Sequence, residues 1–83
     1  MSTTMVATWI VEDEYQMEWD DARSIERTGQ TLCVLSGCAW ITVDGLDLIV
    51  LAGEKIVLEP GIDPAVISAL ESQPLVYRLM DHA

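Results

Sequence analysis

The glycines of this chain are evenly spaced. All five, Gly29, Gly37, Gly45, Gly53 and Gly61, fall eight residues apart. Between them lie short apolar segments at residues 31–35, 38–43, 46–51 and 55–59. About six extended residues and a two-residue turn make such a period, and glycine takes the positive φ of a tight turn at little steric cost. The spacing predicts a compact antiparallel β unit. No letter-for-letter repeat accompanies it, so this is a rhythm of turns and not a repeat protein.

Pairing the segments assigns faces. With Ser36-Gly37 and Asp44-Gly45 as two-residue hairpin turns, residue 35 lies opposite 38, 33 opposite 40, 43 opposite 46 and 41 opposite 48. One face then gathers Leu32, Val34, Ala39, Ile41, Val43, Leu46, Leu48 and Val50, wholly aliphatic and the expected core. The other gathers Cys33, Leu35, Cys38, Trp40, Thr42, Asp47, Ile49 and Leu51, mixed but still strongly apolar. A sheet with two apolar faces needs cover on both, from its own chain or from another subunit. Carried through Ala52-Gly53, the same rule would bury Lys55 and Glu59 and expose Ile56 and Leu58. The simple meander is therefore expected to stop near Gly53, at a crossing to another sheet or at a bulge.

Outside this unit the signals are shorter. Residues 5–11 are apolar enough for a strand. In residues 14–19, Tyr15, Met17 and Trp19 alternate with Glu14, Gln16 and Glu18, which predicts a half-buried strand with its aromatics toward the core. Residues 20–30 form the longest polar stretch. They suit either one helical turn capped by Asp20 or Asp21, or a loop running into a short strand. Pro60-Gly61 makes a turn, and residues 66–70 and 75–80 read as two more strands before a three-residue tail, 81–83. About eight short antiparallel strands with regular turns give one all-β domain over residues 1–83, a small sandwich or barrel.

Composition narrows the partners. The chain has 83 residues, enough for one core, and its 51% hydrophobic content argues against disorder. No apolar run reaches the ~18–20 residues of a membrane span, and Met1-Ser2-Thr3-Thr4 lacks the cations of a signal peptide. Four Lys and Arg against 14 Asp and Glu leave a net charge of −10. That disfavours direct binding to nucleic acid or an anionic membrane and suits solubility or a basic protein partner. Two cysteines without a secretory signal suggest free thiols in the cytoplasm.

Gly37-Cys38-Ala39-Trp40-Ile41-Thr42, an acidic turn, Asp47-Leu48-Ile49-Val50-Leu51-Ala52-Gly53-Glu54 and a strand ending at Pro60-Gly61 resemble a family of short bacterial cupin-like β domains of unknown function. Its signature is Gly-x-x-Trp-aliphatic-Thr followed by Asp-x-x-Leu-x-x-Gly-acidic, and the resemblance runs from Val11 to Met80. It implies a small jelly-roll-like barrel and brings no activity or catalytic residues. Cys33 and Cys38 stand where the family would place long polar or basic side chains, so the second apolar face is a feature of this chain in particular.

Few residues offer chemistry. Metal-binding cupins use several histidines, and this chain has only one, His82. Zinc on Cys33, Cys38, His82 and a carboxylate would need the tail to fold back, so no metal or other cofactor is expected. The Cys-x4-Cys spacing puts the thiols diagonally, about 7 Å apart, beyond the ~5.5–6 Å that a disulfide prefers. They are expected as small apolar side chains. Glu12, Asp13, Glu14, Glu18, Asp20 and Asp21 form the best candidate acidic patch, although solvated charge at turns explains them as simply. Trp40 matters most: burying it is worth about 4–6 kcal/mol as an upper bound. Three readings follow. The first is a non-enzymatic domain that binds protein, most simply itself, through Trp40, Cys33, Cys38, Leu35 and Ile49. The second is an acidic inhibitor occupying the basic groove of a nucleic-acid-handling protein. The third is a metal-free cupin that binds a small ligand.

Overall fold

The computed structural model of the protein describes residues 12–81. The alternating segments become eight strands among these residues: β1 (Glu12–Met17), β2 (Ala22–Ile25), β3 (Thr31–Ser36), β4 (Cys38–Val43), β5 (Leu46–Leu51), β6 (Lys55–Val57), β7 (Ala65–Ala69) and β8 (Leu75–Met80). They form two four-stranded sheets, ordered β1-β8-β3-β6 and β2-β7-β4-β5. Every pairing is antiparallel. Among the described strands, successive ones alternate between the sheets except at the β4–β5 hairpin, the winding of a jelly roll. The expected strand at 5–11, with Trp9, lies outside the described residues. No helix among the described residues is long and apolar enough to cross a membrane.

The core fills the space between the sheets. Leu32 and Val34 on β3, Ala39 and Ile41 on β4, and Val50 on β5 are buried there with Met17, Ile67, Leu75 and Tyr77. The expected aliphatic face is thus the core, with one correction at its far end. Val43 and Leu48 are only partly buried, and Leu46 is exposed. These three side chains line a shallow cleft of about 160 Å³ with Ile56, Leu58 and Arg27, which leaves the hairpin's tip only partly covered.

The larger correction is at Gly37. The Asp44-Gly45 hairpin forms as expected, with Val43 opposite Leu46 and Ile41 opposite Leu48. Both of its turn residues have positive φ, 52° and 76°. Ser36-Gly37 is not a hairpin: β3 pairs with β6 and β8, while β4 pairs with β5 and β7. Here the chain crosses from one sheet to the other. A Cβ on Gly37 would sit 2.6 Å from the Pro74 carbonyl oxygen, so glycine serves a close backbone approach as well as its φ of 82°. Facing survives this change of partner because each strand's alternation is its own: two strands facing across a core bury the same residues as two strands side by side. The crossing expected near Gly53 is present, and it turns Leu58 into the core and Ile56 to its edge.

Two local outcomes complete the frame. Residues 22–25 form a strand, not a helical turn. Trp19, expected toward the core, is exposed because β1 ends at Met17. Beyond it the Glu18–Asp21 turn, closed by Asp21 N–H to the Glu18 carbonyl at 3.1 Å, breaks the alternation.

Candidate functional site

Two regions of the surface carry more than packing requires. The first is the outer face of the second sheet. Register places Trp40 between Ser68 and Ile49, and Thr42 between Val66 and Asp47. Cys38 lies opposite Leu51, and its carbonyl accepts the Leu70 N–H at 3.0 Å. Three rows therefore cross β7, β4 and β5: Leu70–Cys38–Leu51, Ser68–Trp40–Ile49 and Val66–Thr42–Asp47. Trp40, Ile49, Leu51, Val66 and Leu70 are each between 38% and 52% exposed, so this apolar face is open. Its one carboxylate in these rows, Asp47, is at the end and accepts the Thr42 hydroxyl at 2.9 Å.

Cys38 is the exception in these rows. It is only 5% exposed, and burial pushes its thiol above the ordinary range, with the Glu71 and Glu54 carboxylates adding to the rise. It is a small apolar side chain there and not a poised nucleophile.

The expected interaction set is divided by the crossing at Gly37. Trp40, Cys38 and Ile49 share this face. Cys33 and Leu35 do not, because β3 belongs to the first sheet. Cys33 lies between Arg78 and Lys55 in the register, half-buried. Leu35 is the extra residue of a bulge against β8, where Val34 pairs with Tyr77 and Ser36 with Val76. Both thiols are free. Among the described residues no three His, Cys, Asp or Glu side chains converge as a metal site would require. His82 lies outside the described residues.

The residues of the expected acidic patch lie along β1 and in the turn that follows it, and Glu14, Glu18, Asp20 and Asp21 are exposed. Glu14 on β1 accepts Arg78 Nη2 at 3.2 Å, and Asp21 accepts the Glu18 backbone N–H at 3.2 Å. Asp20 holds the turn with a φ of 70°. Glu12 and Asp13 lie on β1 opposite Met80 and Leu79.

The second region was missed in the sequence. A cleft of about 290 Å³ opens between the sheets where their edge strands β1 and β2 meet. Arg23 lies opposite Ile67, which is fully buried, so the alternation of β2 sets Arg23 on the same strand face as Ile25, where it stays exposed at the mouth of the cleft. Its guanidinium carbon stands 5.2 Å from the centre of the Tyr15 ring, and Nη1 donates to the Tyr77 hydroxyl at 3.2 Å. Tyr15 and Tyr77 stack at 5.3 Å between centroids, 27° from parallel. Gln30 closes the lower wall: Nε2 donates to the Glu26 carbonyl, while Oε1 accepts from the Thr28 N–H and hydroxyl. The signal for this site was the spacing of Arg23 and Ile25 on one strand face. Reading residues 20–30 as one helical turn, or as a loop running into a short strand, left the facing of Arg23 unassigned.

No protein-family model matches the sequence, and no curated protein matches it. Solved structures do. A Cupin_2 domain of an XRE family transcriptional regulator from Enterobacter cloacae superposes with a TM-score of 0.68 at 14% identity, covering 87% of this chain and 82% of that one. A cupin-2 domain containing protein from Shewanella frigidimarina gives 0.69 at 14% identity, with 95% and 76% covered. A conserved protein of unknown function from Streptococcus pyogenes gives 0.68 at 20% identity, with 94% and 69% covered. At such identities the likeness establishes the fold: this chain is a cupin-like jelly roll.

Proposed function

We propose that this cupin-like domain acts by binding protein rather than by catalysis, and that its partner is a second copy of itself, joined through the Trp40 face. The observation that carries the reading is the open block of Trp40, Ile49, Leu51, Val66 and Leu70 on one sheet surface. A two-fold axis through that block would bring like apolar rows together and leave Asp47, Glu54 and Glu71 at the rim. The free Cys33 and Cys38 thiols support a reducing compartment such as the cytoplasm. The net charge of −10 supports a protein partner over nucleic acid or an anionic membrane.

That charge also distinguishes a second copy from a basic partner. Two protomers of −10 repel each other, so salt should strengthen a dimer held by apolar contact, whereas it weakens attraction to a basic protein. Sedimentation equilibrium should show a concentration-dependent dimer that tightens between about 50 and 500 mM NaCl. Trp40→Glu should give a folded monomer. A protein that stays monomeric at about 0.5 mM in high salt, or a Trp40→Glu variant that dimerises unchanged, would sink the proposal.

A further inference from the structure

The cleft between β1 and β2 shares no lining residue with the apolar block around Trp40. We propose that it binds a small organic monocarboxylate, with the carboxylate on the Arg23 guanidinium and the apolar body against Tyr15, Ile25 and Leu79.

The argument starts from the cation. The chain holds only four Lys and Arg among 14 Asp and Glu, so an arginine has carboxylates in excess to choose from. Arg27 takes Asp44 and Arg78 takes Glu14. Arg23 has no carboxylate partner among the described residues. A guanidinium carries five N–H donors in a planar fork, and Arg23 engages one acceptor, the Tyr77 hydroxyl. The Tyr15 face and that hydroxyl fix the fork in place without satisfying it. A fixed fork with open donors, set in a cleft, matches the planar bidentate acceptor of a carboxylate.

The rest of the cleft sets the class. Tyr15, Ile25 and Leu79 supply an apolar wall. The volume of about 290 Å³ sits at the lower limit of ordinary ligand pockets, roughly 300–1,000 Å³, so the ligand is small. Glu26 also lines the opening, and its carboxylate, with the −10 net charge, opposes a second negative charge on the ligand. The chemistry selects one carboxylate on an apolar body over phosphate or a polycarboxylate. Tyr77 is fully buried, so it acts as a positioning residue that aims the guanidinium.

The test is a titration followed by two-dimensional amide NMR on the intact protein, at fixed ionic strength and neutral pH. Benzoate is the probe, benzyl alcohol its neutral counterpart, and citrate the polyanion. Benzoate should give saturable shifts at Tyr15, Arg23, Ile25, Tyr77 and Leu79, including the Arg23 Nε–H. Benzyl alcohol and citrate should bind at least about tenfold more weakly. Arg23→Gln should weaken benzoate by about tenfold or more and leave benzyl alcohol unchanged. Tyr77→Phe should weaken benzoate several-fold while leaving the site formed. Equal affinity for benzoate and benzyl alcohol on the unaltered protein overturns the proposal without any variant. So do saturable shifts confined to other surfaces, a preference for citrate, no saturation by about 20 mM benzoate, or full affinity in a folded Arg23→Gln protein.

Discussion

Arg23 and Arg27 lie four residues apart in one segment, and the fold uses them in opposite ways. The Arg27 side chain is only 6% exposed, and its fork is fully engaged. Nε donates to the Glu59 carbonyl at 2.9 Å, Nη1 to Asp44 Oδ1 at 2.9 Å and the Asp63 carbonyl at 3.1 Å, and Nη2 to Asp44 Oδ2 at 3.0 Å. It ties the tip of the β4–β5 hairpin to the loop before β7. Gly61 makes room for it, since a Cβ there would collide with the guanidinium. Arg23 has an aromatic face beneath it, one hydroxyl beside it and open space in front. A saturated guanidinium is a structural clamp, whereas an oriented but unsaturated one is available to something outside the chain.

The largest test of this contrast is Arg27→Met. It keeps the apolar stem but leaves the Glu59 and Asp63 carbonyls without their donor and Asp44 without its fork. The expected loss is about 2–3 kcal/mol, a fall in Tm of roughly 10–20 °C by thermal melting. Gly61→Ala should act on the same clamp more gently. The added methyl displaces a flexible side-chain end and not backbone, so about 1–2 kcal/mol is expected. In the Arg27→Met background it should cost almost nothing further, because the group it strikes is gone. Additive losses would mean that Gly61 serves some other contact. Arg23→Gln should cost less than about 1 kcal/mol, since Arg23 is exposed and gives up only one hydrogen bond to a hydroxyl and a cation–π contact. If it destabilises as much as Arg27→Met, the two arginines do the same work and the contrast fails.

What could be read in advance followed the distinction between facing and partnering. Periodicity along a strand fixes which side chains point together, so Leu32, Val34, Ala39, Ile41 and Val50 were identifiable as core from spacing alone. Partnering depends on contacts far away in the chain. Ser36-Gly37 and Asp44-Gly45 have the same local form, yet only the second is a hairpin. What separates them at Gly37 is the Pro74–Leu75 backbone, remote in sequence, so no local rule could assign it. That error moved Cys33 and Leu35 onto the wrong face while leaving Trp40, Cys38 and Ile49 together. The Arg23 cleft was hidden for a related reason. It needs β2 and β8, 54 residues apart at Arg23 and Tyr77, to meet across the core.

The smallest expected effect sharpens the contrast at Tyr77. Burial raises the Tyr77 phenol above its ordinary value near 10, and the Arg23 hydrogen bond and charge pull it back down. With the folded pKa above the unfolded one, the unfolded chain gives up this proton first as pH rises. The stabilisation is therefore complete below the unfolded value of about 10 and is lost as pH climbs through the folded value. Urea midpoints compared between about pH 9 and 11 should fall less steeply in Tyr77→Phe than in the unaltered protein. Arg23→Gln removes the cation that opposes the rise, so its fall should be steeper still and extend to higher pH. A shallower fall in Arg23→Gln would show that Arg23 does not hold its charge against Tyr77. The oriented fork on which the cleft depends would then be absent in solution.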